Sequence, residues 1–132
     1  MTLTRSDVKA WLDRYVAAWE TFDEAAIGDL FSEDAEYRLY PHEEPVRGRE
    51  EIVRSWLAPG GDPAARDAPG TYIGRYETWA VDGDRAVAVG TSEYFADSAR
   101  ATPIERYHNA FLLRFDDDGR CRDFVEYYVK PG

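Results

Sequence analysis

Histidine and cysteine are scarce in this chain, and each scarcity closes off chemistry. His42 and His108 are the only histidines and Cys121 the only cysteine among 132 residues. A single cysteine cannot form an intramolecular disulfide, so nothing points to an oxidising compartment and Cys121 reads as an ordinary free thiol. His42 falls in a polar loop beside Glu43 and Glu44, and His108 falls on a strand. That pair supports neither a two-histidine metal site nor a Ser-His-Asp set, so no metal is expected. A glycine-rich phosphate loop and a dinucleotide fingerprint are also missing, and no cofactor is expected. There is no long apolar run, and the N-terminal MTLTRSDVKAW lacks the apolar core of a secretion signal, so the expected location is the cytoplasm. Twenty-six acidic against 16 basic residues give a formal charge of −10. That charge repels phosphate backbones and anionic lipid, so neither nucleic acid nor a membrane is an expected partner. The acidic residues are scattered, as on a solvated surface.

What is present fits one domain over residues 1–132, with 44% hydrophobic and 14% aromatic content to fill one core. Thr4 followed by Asp7 resembles a helix cap, and Val8, Trp11, Leu12, Tyr15, Val16 and Trp19 recur at helical spacing. Asp23 can cap a second, short helix carrying Ala26, Ile27, Leu30 and Phe31 and ending near Ser32. Ala35 to Tyr40 alternates as a strand does and stops at Pro41. Ile52, Val53, Trp56 and Leu57 form the stripe of a third helix, and Pro59 to Gly70 reads as a loop long enough to be a flap or a plain connection. From Thr71 the period becomes two: Tyr72 to Val81, an Asp82-Gly83 turn, Arg85 to Phe95, then a final pair of strands. Helices followed by a mostly antiparallel sheet is the α+β layout.

The final pair organises the chain. Runs Arg106 to Phe115 and Arg120 to Val129 flank Asp116-Asp117-Asp118-Gly119, which supplies turn residues. A turn centred on Asp117 and Asp118 places Tyr107 opposite Tyr128, Asn109 opposite Glu126 and Phe111 opposite Phe124, all on one face. The other face carries His108, Ala110, Leu112, Arg114, Cys121, Asp123, Val125 and Tyr127. A carboxylate held among rings is where a pKa can be moved to a useful value. A wet, inert pair at the sheet edge is the alternative, and a one-residue slip would swap the faces.

The run RYVAAWETFDEAAIGDLFSEDAEYRLYP, the segment PVRGREEIVRSW and the ending YHNAFLLRF, DDDGR, VEYYVKP resemble the nuclear transport factor 2-like superfamily, and within it the snoaL-like polyketide cyclases. The resemblance implies a cystatin-like cone: a strongly curved, mostly antiparallel sheet wrapping the long N-terminal helix, with two further helices, a deep apolar pocket and dimerisation through the outer sheet face. RYVAA is similar to the first helix of ketosteroid isomerases, whose matching tyrosine donates to an oxyanion, which implies that role for Tyr15. The isomerase base does not carry over, since its position falls near Leu39 or Tyr40, and the second oxyanion acid falls near Phe111 or Asn109. The two pocket histidines of scytalone dehydratase-like sites and the Asp-Arg-Asp set of limonene epoxide hydrolase-like sites are not visible. The ending resembles phenazine-pathway members whose last-strand glutamate handles a proton, and Glu126 matches that glutamate.

The expected function is cofactor-independent acid-base catalysis of the cyclase, dehydratase or isomerase type on a small hydrophobic, cyclic or polyketide-like molecule. Glu126 would exchange the proton, Asn109 would hold the carboxyl or polarise a carbonyl, and Tyr15 would donate to developing negative charge. Trp19, Phe22, Tyr37, Trp56, Tyr107, Phe111, Phe124 and Tyr128 are candidate walls, or ordinary core. Alternatives are a small-ligand-binding module without turnover and a dimeric interaction module of the same fold. Ala110, Leu112, Val125 and Tyr127 place apolar area on the outer face, where a homodimer would cover it.

Overall fold

The computed structural model describes residues 2–57, 72–95, 99–100 and 102–131, so the expected flap from Pro59 to Gly70 lies outside the described residues. The elements in chain order are α1 (Arg5–Thr21), α2 (Glu24–Asp29), β1 (Phe31–Arg38), β2 (Val46–Arg47), α3 (Arg49–Leu57), β3 (Tyr72–Asp82), β4 (Arg85–Phe95), β5 (Pro103–Phe115) and β6 (Cys121–Val129). The sheet has six strands in the order β2-β1-β6-β5-β4-β3, antiparallel throughout except where β1 runs parallel to β6. Among the described residues no helix is long and apolar enough to cross a membrane.

α1 starts where its sequence says it should. Thr4 Oγ1 accepts from Asp7 N at 3.1 Å while Asp7 Oδ2 accepts from Thr4 N at 2.9 Å, a reciprocal cap that satisfies two otherwise orphaned donors. It ends at Phe22, whose left-handed backbone (φ 52°) turns the chain while its N–H still reaches Ala18 O. The helix buries Val8, Trp11, Leu12, Tyr15 and Ala18 as one stripe.

α2 is shorter than its sequence suggests, and Phe31 belongs to β1 rather than to a helix reaching Ser32. Long-range bonding overrides local propensity here. Leu30 O accepts from both Cys121 N and Trp11 Nε1 at 2.9 Å, which draws the chain into the sheet with Phe31 paired to Cys121. An irregularity between Phe31 and Glu36 hides the period-two signal until Ala35.

The sheet curls around α1. Tyr15 has Tyr76 of β3 and Phe124 of β6 both with ring centroids 5.8 Å away. In a flat sheet strands three steps apart stand roughly 14 Å from each other, so one phenol ring touches both only because the sheet bends. Gly90 sits at the bend: a Cβ there would collide with the Arg75 carbonyl and the Tyr76 ring.

The β5–β6 hairpin differs from the expected register by two residues. Asp116 and Arg120 close a loop in which Gly119 takes φ 84°, and Arg122 is an extra residue between the pairs Phe115↔Cys121 and Arg114↔Asp123. Asn109 therefore faces Tyr128, Phe111 faces Glu126 and Leu113 faces Phe124, in place of the pairs Tyr107–Tyr128, Asn109–Glu126 and Phe111–Phe124. An even slip keeps every side chain on its face. The bulge at Arg122 does move Cys121, which is buried in the core beside Phe115 and not on the outer face.

Candidate active site

The inner face of the sheet is aromatic, interrupted by one row of polar side chains. Among the described residues the buried polar or charged side chains are Ser32, Ser92, Asn109 and Glu126, and the last three lie in that row. Asn109 Nδ2 donates to Glu126 Oε2 at 2.7 Å, and Ser92 Oγ donates to Asn109 Oδ1 at 3.1 Å. Next to the row, on β3, the Tyr76 phenol lies close enough to the Ser92 side chain for the serine to favour its anion, and it lies 2.7 Å from the Tyr72 hydroxyl. The Ser92–Asn109 and Asn109–Glu126 bonds each cross to the neighbouring strand on the diagonal, because Asn109 is opposite Gly90 and Tyr128 rather than opposite Ser92 or Glu126.

Glu126 is 7% exposed and Asn109 8%. Burial pushes the Glu126 carboxyl up to about 7, and the Asn109 N–H opposes this by stabilising the anion. No lysine, arginine or histidine is among the buried side chains described. Tyr15, Tyr37 and Tyr72 are held well above the usual phenol range, first by burial and then by neighbouring phenols and Glu126. They are neutral donors at physiological pH. The arrangement is thus one carboxyl able to change charge near neutrality, faced by neutral hydrogen-bond donors.

The three residues given chemical roles from sequence come together on this face. The Tyr15 ring packs against Trp56 (5.5 Å), Phe111 (5.3 Å) and Phe124 (5.8 Å), and the Glu126 carboxylate adds to the burial that disfavours ionisation of its phenol. Tyr37 stacks on Phe124 at 4.8 Å, and Trp19 stacks on Trp56 at 4.4 Å with Phe22 edge-on to it at 5.3 Å. Phe111 and Phe124 are fully buried and form the floor of the cluster. Tyr107 and Tyr128 lie further out, 5.2 Å apart, with Tyr128 beside Tyr40. The Trp56 indole N–H is buried without an acceptor in hydrogen-bonding geometry among the described residues, though it lies close enough to the Tyr37 phenol to favour its anion. An open hollow of about 610 Å³ touches Asn109 and Tyr128 but is otherwise lined by His42 and its loop and by the outer-face residues His108, Ala110 and Tyr127, and neither Glu126 nor Tyr15 lines it. Among the described residues no group of three His, Cys, Asp or Glu could hold a metal ion.

Sequence reasoning missed Ser92, Tyr76 and Tyr72. The available signal was Tyr72-x-Gly74-x-Tyr76, three residues on one strand face with no side chain in the middle. The space a Gly74 Cβ would fill is taken by the Tyr72 hydroxyl and the Tyr76 ring, which is how two phenols four residues apart meet.

A family model described as the SnoaL-like domain matches residues 12–124. No curated protein matches the chain. Among solved structures, an NTF2-like protein with a cystatin-like fold from Novosphingobium aromaticivorans is similar at 24% identity and a TM-score of 0.67, over 92% of this chain and 79% of that one. A candidate polyketide cyclase from Sinorhizobium meliloti is similar at 20% identity and a TM-score of 0.63, over 95% of this chain and 100% of that one. An LEH-like epoxide hydrolase from M. tuberculosis is similar at 12% identity and a TM-score of 0.62, over 95% of this chain and 84% of that one. At these identities the likeness establishes the fold.

Proposed function

The chain belongs to the SnoaL-like domain family, and from that footing we propose that it is a cofactor-independent acid-base enzyme of the cyclase, dehydratase or isomerase type. Its substrate would be a small hydrophobic, cyclic or polyketide-like molecule carrying a carbonyl, handled in the cytoplasm. The observation that carries this reading is Glu126, a buried carboxyl whose hydrogen bond is to a neutral amide and which burial pushes up to about 7. Such a group is costly to bury, and it is the kind of acid or base that works at neutral pH. Glu126 as carboxylate would take a proton from carbon next to the carbonyl and return it as acid to another position. Asn109 would hold the carboxyl in place, and the neutral Tyr15 phenol would donate to the oxygen that gains negative charge. The aromatic surroundings would exclude water and bind apolar rings.

The test needs no natural substrate. Hydrogen-deuterium exchange next to the carbonyl of a bicyclic aromatic ketone such as α-tetralone, followed by NMR in D₂O, reads proton abstraction directly. The wild type should accelerate exchange, and Glu126→Gln should lower that rate at least ~100-fold while leaving the fold intact. Equal rates would defeat the mechanism. Uptake of the ketone without exchange in either protein would favour the binding-module alternative.

We further propose a homodimer through the outer sheet face. Leu112 and Tyr127 are 42% and 47% exposed there, with Ala110 and Val125 beside them. A hollow of about 350 Å³ between Ala80, Val87, Leu112 and Val125 could receive a partner's side chain. Light scattering should give twice the 15.1 kDa chain mass, and Leu112→Arg should halve it. A monomer at micromolar concentration, or a dimer indifferent to Leu112→Arg, would exclude this interface.

A further inference from the structure

We infer that Ser92 is a positioning residue of this site: it locks the Asn109 carboxamide so that Nδ2 rather than Oδ1 faces Glu126. A serine hydroxyl has one hydrogen and can also accept. The 3.1 Å contact to Asn109 Oδ1 uses that hydrogen and fixes which end of the amide Ser92 meets. Both donated hydrogens point toward Glu126, where the chain ends in the 2.7 Å bond from Nδ2. This direction suits a carboxylate, which can only accept.

A protonated Glu126 suits the reverse. Its O–H would donate to Oδ1 of a turned amide, and Nδ2 would donate to Ser92 Oγ. The same side chains serve both charge states, but only by reorienting together. Without its hydroxyl, Asn109 Oδ1 loses its donor, and turning the amide to accept from a protonated Glu126 becomes the better arrangement. The titratable groups bearing on Glu126 are Tyr15 from α1, Tyr37 from β1, Tyr72 and Tyr76 from β3 and Tyr128 on β6 itself, all phenols raised above their usual range. None of them changes charge near pH 7, so the amide is the group free to respond.

The inference gains its catalytic meaning from the proposed role of Glu126, but the positioning can be read without any substrate. Asn109 is the only asparagine and the chain has no glutamine, so a ¹⁵N spectrum edited for NH₂ groups contains one side-chain amide pair. In the wild type that pair should shift with a single midpoint near about 7, and Glu126→Gln should abolish the titration. Ser92→Ala should raise the midpoint by about one pH unit, tenfold in proton affinity, the weight of one neutral hydrogen bond. Ser92→Thr and Ser92→Val form a matched pair of one shape that differs in the hydroxyl. Threonine should keep the wild-type midpoint and valine should show the rise, which decides the matter if the alanine variant fails to fold. Equal midpoints in Thr and Val, or an unmoved midpoint in a folded Ser92→Ala, would overturn the inference. Either result would leave the exchange activity of Glu126 to stand or fall on its own assay.

Discussion

Glu93 and Glu126 occupy the same sheet, on β4 and β6, and their carboxyl groups are driven in opposite directions. Glu93 points to the outer face, where Arg106 Nη2 donates to it at 2.7 Å and Arg75 Nη1 at 3.2 Å. The guanidinium bonds, Arg106's first, hold its carboxyl below the usual carboxylate range. Glu126 points inward, meets an amide and aromatic rings, and is raised to about 7. Residue type, strand environment and backbone are shared, so the face alone decides whether a glutamate is a permanent charge or a group that exchanges protons. Sheet alternation, a property of period two, sorts surface electrostatics from chemistry in this molecule.

The largest effect that would sharpen this contrast is kinetic. Glu126→Gln should lower ketone proton exchange at least ~100-fold, whereas Glu93→Gln should leave it unchanged. A loss of similar size at Glu93 would break the comparison.

A second difference is in the sign of pH dependence. Folded Glu126 keeps its proton up to about 7, whereas an unfolded glutamate releases it near ~4.3. The folded state therefore binds the extra proton across that window, and this group's contribution to stability falls as pH rises through it. Glu126→Gln should be more stable than the wild type at pH 8 by on the order of 1–3 kcal/mol and equal to it below about pH 4, measured by urea denaturation. Glu93, with its lowered carboxyl, has the opposite sign: its stabilisation is present above the unfolded value and is lost as pH falls through the folded one. A Glu126→Gln advantage at acid rather than alkaline pH would refute the assignment.

The smallest effect concerns the spacing of the phenols. Gly74→Ala places a methyl where the Tyr72 hydroxyl sits, which should cost ~1–3 kcal/mol by overpacking and separate Tyr72 from Tyr76. The Arg75–Glu93–Arg106 cluster on the opposite face should be undisturbed. Unchanged stability would show that the inner row tolerates a side chain it is inferred to exclude.

Much of this was legible in the sequence wherever the cause was local. The Thr4–Asp7 cap, the α1 stripe and the β3–β4 turn follow from spacing and turn chemistry within a few residues. Glu126 and Asn109 were legible as partners on one face even though the register was wrong, because the extra residue at Arg122 and the wider Gly119 loop together shift pairing by two residues and parity survives. Cys121, inside the bulge, did not survive it. Phe31 was misread because its strand exists only through Leu30 and Cys121, far apart in sequence. Ser92 was invisible for a related reason: its bond to Asn109 runs diagonally between strands, and no local pattern encodes a diagonal.

The most direct test of the central claim is the titration of Glu126 itself. Carboxyl ¹³C resonances of glutamate-labelled protein can be followed from pH 3 to pH 9, with Glu126 assigned by the signal lost in Glu126→Gln. We predict one glutamate with a midpoint near about 7 and Glu93 below the usual range. A Glu126 midpoint at or below the ~4.3 of a free glutamate would contradict the account.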